Sequence, residues 1–219
     1  MSIPATGRGL PGLAYPKAYL QRLAAQLTEK YTGVFGRETV ERYVLESYTA
    51  LLRTAKVKSH LVTHTTHFVT ERLTALAQVT GAAAHDQPEV LYVCEQNAGR
   101  SQMAAAITNH LAHGRVHVRS AGSMPAHQLN PGVVAVLAEA GIPLEDEYPK
   151  PLTDDVVQAA DVVVTMGCGD ACPLYPGKRY EDWELADPAV LDIHGARQVR
   201  DEIIARVRSL LTSLESTAF

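Results

Sequence analysis

Residues 90 to 101 read Val90-Leu-Tyr-Val-Cys94-Glu-Gln-Asn-Ala-Gly-Arg100-Ser101. A short apolar run ends on a cysteine, an arginine follows six positions later, and a helix-like stretch begins at once. That order predicts a strand, a tight loop able to surround an anion, and the start of a helix. Backbone N–H groups of such a loop converge on one point, and the partial positive charge of the helix terminus adds to them. The candidate cradle is Glu95, Gln96, Asn97, Ala98, Gly99 and Arg100. Gly99 lets the backbone come close, and Arg100 supplies a planar fork that grips two oxygens at once, which lysine cannot reproduce. In the same field a thiolate becomes accessible, because cysteines at helix amino termini near arginine have pKa values of about 3.5 to 7.5. Cys94 is therefore a candidate nucleophile. Ser101 either donates its hydroxyl to that thiolate or caps the helix.

Working outward, strands alternate with helices. The β-branched runs Val90 to Val93, Val116 to Val118 and Val162 to Val164 predict strands, and Gln102 to His113, Val133 to Ala140, Asp154 to Ala160 and Ala196 to Leu214 read as helices. The last is expected to bury Val199, Ile203, Ile204, Val207, Leu210 and Leu211 along one stripe. Such alternation points to an α/β parallel sheet with helices on both faces. The other two cysteines, Cys168 and Cys172, sit four apart just past the Val162 strand. Three thiols beside one anion cradle imply redox chemistry on an oxyanion.

Before Gly81 the period is different. Leu20, Leu23 and Leu27, then Val40, Val44, Leu45, Tyr48, Leu51 and Leu52, then Leu61, Phe68, Val69, Leu73 and Leu76 recur at helical spacing and predict three helices. Gly33 and Gly36 separate the first two, Ser59 is placed to cap the third, and Gly81 to end it. Gly81 to Pro88 carries no apolar period and reads as a linker. The expected organisation is an amino-terminal three-helix domain over 1–84 and a sheet domain over 88–219.

The chain has 219 residues, 24 acidic against 20 basic side chains and a net charge of −4. That balance gives no electrostatic footprint for nucleic acid. No apolar stretch approaches the roughly 18 residues that cross a bilayer, and the amino terminus lacks a secretory pattern. A cytoplasmic protein with no membrane partner is expected. Three cysteines, an odd number, argue against a disulfide framework and for reduced, reactive thiols.

Cys94-x5-Arg100-Ser101, Ser120-Ala121-Gly122 after the next strand, and Asp187-Pro188 near the end resemble the low-molecular-weight protein tyrosine phosphatase superfamily. Within it, the stretch from Cys94 to Ala104 and Thr165-Met-Gly-Cys-Gly-Asp-Ala-Cys-Pro173 are similar to the arsenate reductases recharged by thioredoxin. The likeness covers about residues 88 to 214. The amino-terminal helices resemble an extension seen on some actinobacterial relatives. Two departures from the phosphatases stand out: Ala189 follows the Asp-Pro where they carry tyrosine, and they lack the Cys168/Cys172 pair.

The resemblance implies a three-layer sandwich with a central four-stranded parallel sheet. It also implies a reaction: Cys94 attacks arsenate held by the loop and Arg100, and Asp187 protonates the departing oxygen. Cys168 then attacks the Cys94 sulfur, arsenite leaves with two electrons, and Cys172 takes over the bridge to leave Cys168–Cys172 for thioredoxin. One helical turn would bring those two Cα atoms to roughly 6 Å, inside the usual disulfide range. Gly167 and Gly169 flank Cys168 and suit the movement that the Cys94 bridge requires. Phosphate and sulfate are expected as substrate analogues, no cofactor is needed, and the amino-terminal helices offer a route to a homo-oligomer. The alternative is a phosphatase for phosphotyrosine or small phosphomonoesters, which would need only Cys94, Arg100 and Asp187.

Plainer readings stand beside these. Asp187 suits a turn before Pro188, and Asn97 suits a left-handed loop position held, by family likeness, by Ser120. A single cysteine pair is short of the four ligands of structural zinc. His60, His64 and His67 share a helix face but have no carboxylate in register, so no metal is expected there. Trp183 reads as packing near the acid loop.

Overall fold

The helical periods of the amino-terminal third become α1 (Lys17–Lys30), α2 (Arg37–Thr54) and α3 (Leu61–Val79). The computed structural model describes residues 16–56, 60–144, 146–167 and 172–216. Leu20, Leu23 and Leu27 of α1, Val40, Val44, Tyr48 and Leu51 of α2, and Leu61, Phe68, Val69 and Leu73 of α3 close into one apolar cluster. Leu45, expected in the stripe, is instead 47% exposed, because one residue along a helix turns the side chain by about 100°. Ser59 lies outside the described residues. α3 ends at Thr80 with Gly81 at φ 71°, the left-handed stop that a glycine permits.

Past Pro88 the chain forms β1 (Glu89–Cys94), β2 (His117–Gly122), β3 (Val162–Met166) and β4 (Arg179–Asp182). All pair in parallel in the order β2-β1-β3-β4. β4 has no apolar run, only Arg-Tyr-Glu-Asp, and is short, partly exposed and at the edge, where charged residues discourage further pairing.

β1 is buried along its whole length, and its alternation sorts the layers. Val90, Tyr92 and Cys94 pack with α4 (Arg100–Ala112), α5 (Pro131–Glu139) and α7 (Ile193–Ser216). Leu91 and Val93 pack with α6 (Asp154–Ala159) and with Ala75 of α3. The result is a three-layer sandwich preceded by three helices, the last of which also lies on the sheet domain. Trp183 joins the first layer, with its ring 5.7 Å from Tyr92 and Nε1 donating to Glu181 at 2.8 Å.

Buried charges fasten α3 down. Arg119 of β2 donates from Nε to Glu89 at 3.1 Å, from Nη1 to the Glu71 carbonyl at 2.9 Å and from Nη2 to Gln78 at 3.1 Å. Burial pushes the Glu89 carboxyl up, but the hydrogen bond from His117 and the Arg119 charge outweigh it and hold its pKa at about 2. Arg72 of α3 meets Asp155 of α6 at 2.9 Å and Ser47 of α2 at 3.1 Å. Breaking a buried pair of this kind costs about 3–5 kcal/mol. The linker is pinned too, by His85 Nε2 at 2.7 Å from Asp161 Oδ2, which also accepts Glu89 N at 2.8 Å. No helix among the described residues is long and apolar enough to cross a membrane.

Candidate active site

The strand order places β2 and β3 on opposite sides of β1, so the chain leaving β1 turns toward β2 while the chain leaving β3 turns the other way toward β4, which opens a crevice at the carboxyl end of β1. Cys94 occupies that end, in register with Gly122 and Met166, and is a free thiol 2% exposed. Residues 95–99 wrap over it to the start of α4. Asn97 takes the left-handed conformation at φ 47°, one that asparagine tolerates better than most residues. The loop rests directly on β2. A Cβ at Gly122 would stand 2.7 Å from the Glu95 carbonyl and 2.8 Å from Asn97 N.

Among the described residues the sulfur has two hydrogen-bond partners, Asn97 N donating at 3.2 Å and Ser101 Oγ at 3.0 Å. Asn97 Nδ2 donates to Ser101 Oγ at 2.8 Å, which leaves the hydroxyl proton to point at the sulfur. Of the two readings of Ser101, the sulfur contact is the one formed: Gly99 is the N-cap of α4, and no side chain caps it. Asn97 Oδ1 accepts from Gln102 Nε2 at 3.0 Å and Lys150 N at 2.8 Å. Ser120, expected to hold Asn97, is not among these partners; it pairs in register with Tyr92. Gly122 fills the place beside Asn97 instead.

Arg100 reaches across the crevice, donating from Nη1 to the Leu185 carbonyl at 3.2 Å, with Nη2 3.6 Å from Asp187 Oδ2. Gly167 makes room for it. That residue sits at φ 69°, and a Cβ would come within 2.9 Å of Nη1. Asp187 Oδ1 accepts from Ala189 N at 2.9 Å and caps a 3-10 turn over Pro188–Val190, so one oxygen does the work of the turn reading while the other faces Arg100.

Cys94, Gln96, Ala98, Gly99, Arg100 and Asp187 line one depression of about 20 Å³ with Ala189 and Asn130. Its guanidinium and the loop around the sulfur suit an oxyanion. Glu95 and Asn97 belong to the loop but do not line the depression. Asn130 escaped the sequence reading. Its Oδ1 caps α5 through Gly132 N at 2.8 Å and Val133 N at 3.2 Å, and its own N donates to the Ala98 carbonyl at 2.8 Å. The pair Asn130-Pro131, an N-cap followed by proline at the first helical position, is the signal that could have found it. Cys172 is buried on the other face of the sheet, in the cluster of Leu91, Val93 and Val163. Cys168 and Gly169 lie outside the described residues, and with them the spacing expected between the two outer thiols.

The low molecular weight phosphotyrosine protein phosphatase family matches residues 89–218. The chain belongs to this family. Residues 20–77 match the N-terminal domain of protein-tyrosine-phosphatase-like proteins. A thioredoxin-dependent arsenate reductase of Corynebacterium glutamicum is 46% identical, covering 92% of this chain and 98% of its own, with a TM-score of 0.83. An arsenate reductase of Shouchella clausii is 38% identical over 131 residues, 54% of this chain and 91% of its own length. The glutaredoxin arsenate reductase of a Synechocystis species is 30% identical over 129 residues, 58% of this chain and 98% of its own length.

Proposed function

We propose that this chain is an enzyme that reduces arsenate to arsenite through Cys94, Cys168 and Cys172 and is recharged by thioredoxin. The observation that carries the reading is the meeting of Cys94, Arg100 and Asp187 at one depression. The likeness to the Corynebacterium reductase over nearly the whole chain supports the substrate and the donor.

In the proposed sequence Arg100 and the loop N–H groups bind arsenate, and the Cys94 thiolate attacks arsenic(V) while Asp187 protonates the departing oxygen. Cys168 attacks the Cys94 sulfur. The arsenic–sulfur bond breaks, its electron pair leaves on arsenic as arsenite, and a Cys94–Cys168 disulfide forms. Cys172 attacks Cys168 and frees Cys94, and a thioredoxin dithiol reduces the resulting Cys168–Cys172 bridge. Such thiols need a reducing compartment, which places the proposal in the cytoplasm. Self-association through the amino-terminal helices belongs to the same proposal, with Leu45 exposed on α2 as a contact.

The test is arsenate-dependent oxidation of reduced thioredoxin, with glutaredoxin as a parallel donor. Turnover with thioredoxin should vanish in Cys94→Ser, Cys168→Ser and Cys172→Ser. Reduction at the parent rate in Cys172→Ser with that donor would remove the relay, and phosphatase turnover without arsenate reduction would favour the phosphatase alternative.

A further inference from the structure

We propose that α3 is a working part of the catalytic loop: Tyr148 and Lys150, anchored on α3, are positioning residues that hold Asn97 and Gln102 and so aim Ser101 Oγ at Cys94 Sγ. The proposal rests on the reading of Cys94 as the nucleophile.

The segment 148–150 has two sides. Toward α3, Tyr148 Oη donates to the His64 carbonyl at 2.9 Å, and its ring stacks on the His64 ring at 3.9 Å and 5°. Tyr148 is buried in the cluster of the amino-terminal helices although it lies far along the chain from them. Burial pushes its phenol well above the ordinary value, so it remains a neutral donor. Lys150 Nζ lies 3.5 Å from Glu71 of α3 and 3.7 Å from Glu147. Burial alone would lower that ammonium, but the two carboxylates reverse the shift and keep it charged.

Toward the sulfur, the same residues present their backbones. The Tyr148 carbonyl accepts Gln102 Nε2 at 3.0 Å, Lys150 N donates to Asn97 Oδ1 at 2.8 Å, and the Lys150 carbonyl accepts Gly122 N at 2.8 Å. Both partners of Gln102 Nε2 are acceptors, which fixes the orientation of that amide. Pro149 between them restricts the backbone, so an anchor on the side chains is transmitted to the peptide groups. A continuous chain of contacts therefore runs from His64 on α3 through Tyr148, Gln102, Asn97 and Ser101 to Cys94. Loosening its outer end frees Asn97 to turn, and the Ser101 hydroxyl loses the donor that directs its proton to the sulfur. A thiolate that loses a directed donor is less stabilised and less available for reaction.

The experiment uses the full chain carrying Cys168→Ser and Cys172→Ser, which leaves Cys94 as its one thiol. Iodoacetamide, a neutral probe that Arg100 does not attract, is reacted across the pH range in this background and in Tyr148→Phe and Glu71→Gln made upon it. Both variants should displace the alkylation profile to higher pH by about half a unit to one unit. Arg37→Ala, which removes only an exposed pair with Glu41 on α2, should leave the profile where it was. A parent profile in both variants, or a lowered thermal midpoint with an unmoved profile, overturns the proposal. If Tyr148→Phe fails to fold, Glu71→Gln decides. The assay needs neither arsenate nor thioredoxin, so a displaced profile in a protein that reduces no arsenate would leave this inference standing and remove the proposed activity.

Discussion

Gly122→Ala perturbs the seat of the catalytic loop. The new Cβ would stand 2.7 Å from the Glu95 carbonyl oxygen, 2.8 Å from Asn97 N and 2.9 Å from Asn97 Cβ. Unstrained contacts of carbon begin at about 3.5 Å, so something must retreat by about 0.6 to 0.8 Å. None of the three atoms is the far end of a flexible side chain. Gly122 itself is held by the ladder to β1, by its N–H to the Lys150 carbonyl at 2.8 Å and by its carbonyl to Leu152 N at 2.9 Å. The loop therefore yields, and Asn97 moves away from Ser101 and the sulfur. Overpacking of this degree costs about 1–3 kcal/mol, or about 2 to 12 °C in thermal midpoint for a chain of this length. A shift approaching 1 Å in a reacting geometry costs up to about a hundredfold in rate. The expected result, from arsenate-dependent oxidation of thioredoxin at 25 °C, is a fall in kcat/KM of about ten- to a hundredfold. A variant within about twofold of the parent in kcat/KM and about 1 °C in midpoint would show that the loop does not rest on β2, and the account of Gly122 would fail.

Two further outcomes follow from the charges. Arg100→Lys loses the planar fork and the bond to the Leu185 carbonyl, so KM for arsenate and the inhibition constant of phosphate should both rise by about ten- to a hundredfold, the worth of one charge-assisted hydrogen bond; unchanged phosphate inhibition would take Arg100 out of the anion site. Glu89 has its folded pKa near 2 against an ordinary 4.5, so its contribution to stability is complete above about pH 4.5 and is lost as the pH falls toward 2, by up to about 3 kcal/mol. Urea unfolding from pH 6 to 2 should show that acid loss in the parent and a flatter profile in Glu89→Gln, and parallel profiles would refute it.

What the sequence made legible was whatever is written contiguously. The run from Val90 to Ser101 holds strand, nucleophile, loop and arginine in one window, and the β-branched runs at 116 and 162 mark its two neighbours in the sheet. What it concealed acts through groups that every residue carries. Lys150 reaches Asn97 with a backbone N–H from 53 positions away, and Tyr148 reaches Gln102 with a carbonyl from 46. Neither leaves a mark in residue type. Gly122 stood in the quoted Ser120-Ala-Gly motif, but the reason for a glycine there needs the loop in place above it. Ser120 shows the converse, since its residue type suits a bond to Asn97, whose side chain instead meets Ser101, Gln102 and Lys150. β4 was invisible because an exposed edge strand of four residues needs no apolar pattern.

The change of texture at residues 81–88 marks where the chain turns from helices to sheet, yet the packing continues across it. α3 buries Phe68, Val69 and Leu73 among the helices and Ala75 against the second face of the sheet. The Shouchella and Synechocystis relatives use nearly all of their length to align with little over half of this chain. Here the second face carries the buried Arg119 and Asp155, whose partners include Gln78, Arg72 and the Glu71 carbonyl, all from α3. Stripping α3 away would return two charges and an apolar face to water and dismantle networks whose geometry depends on that helix. A sheet surface so composed is matched to a permanent cover. Because the same helix holds Tyr148 and Lys150, the cover that stabilises the far side of the sheet also reaches the sulfur at its top.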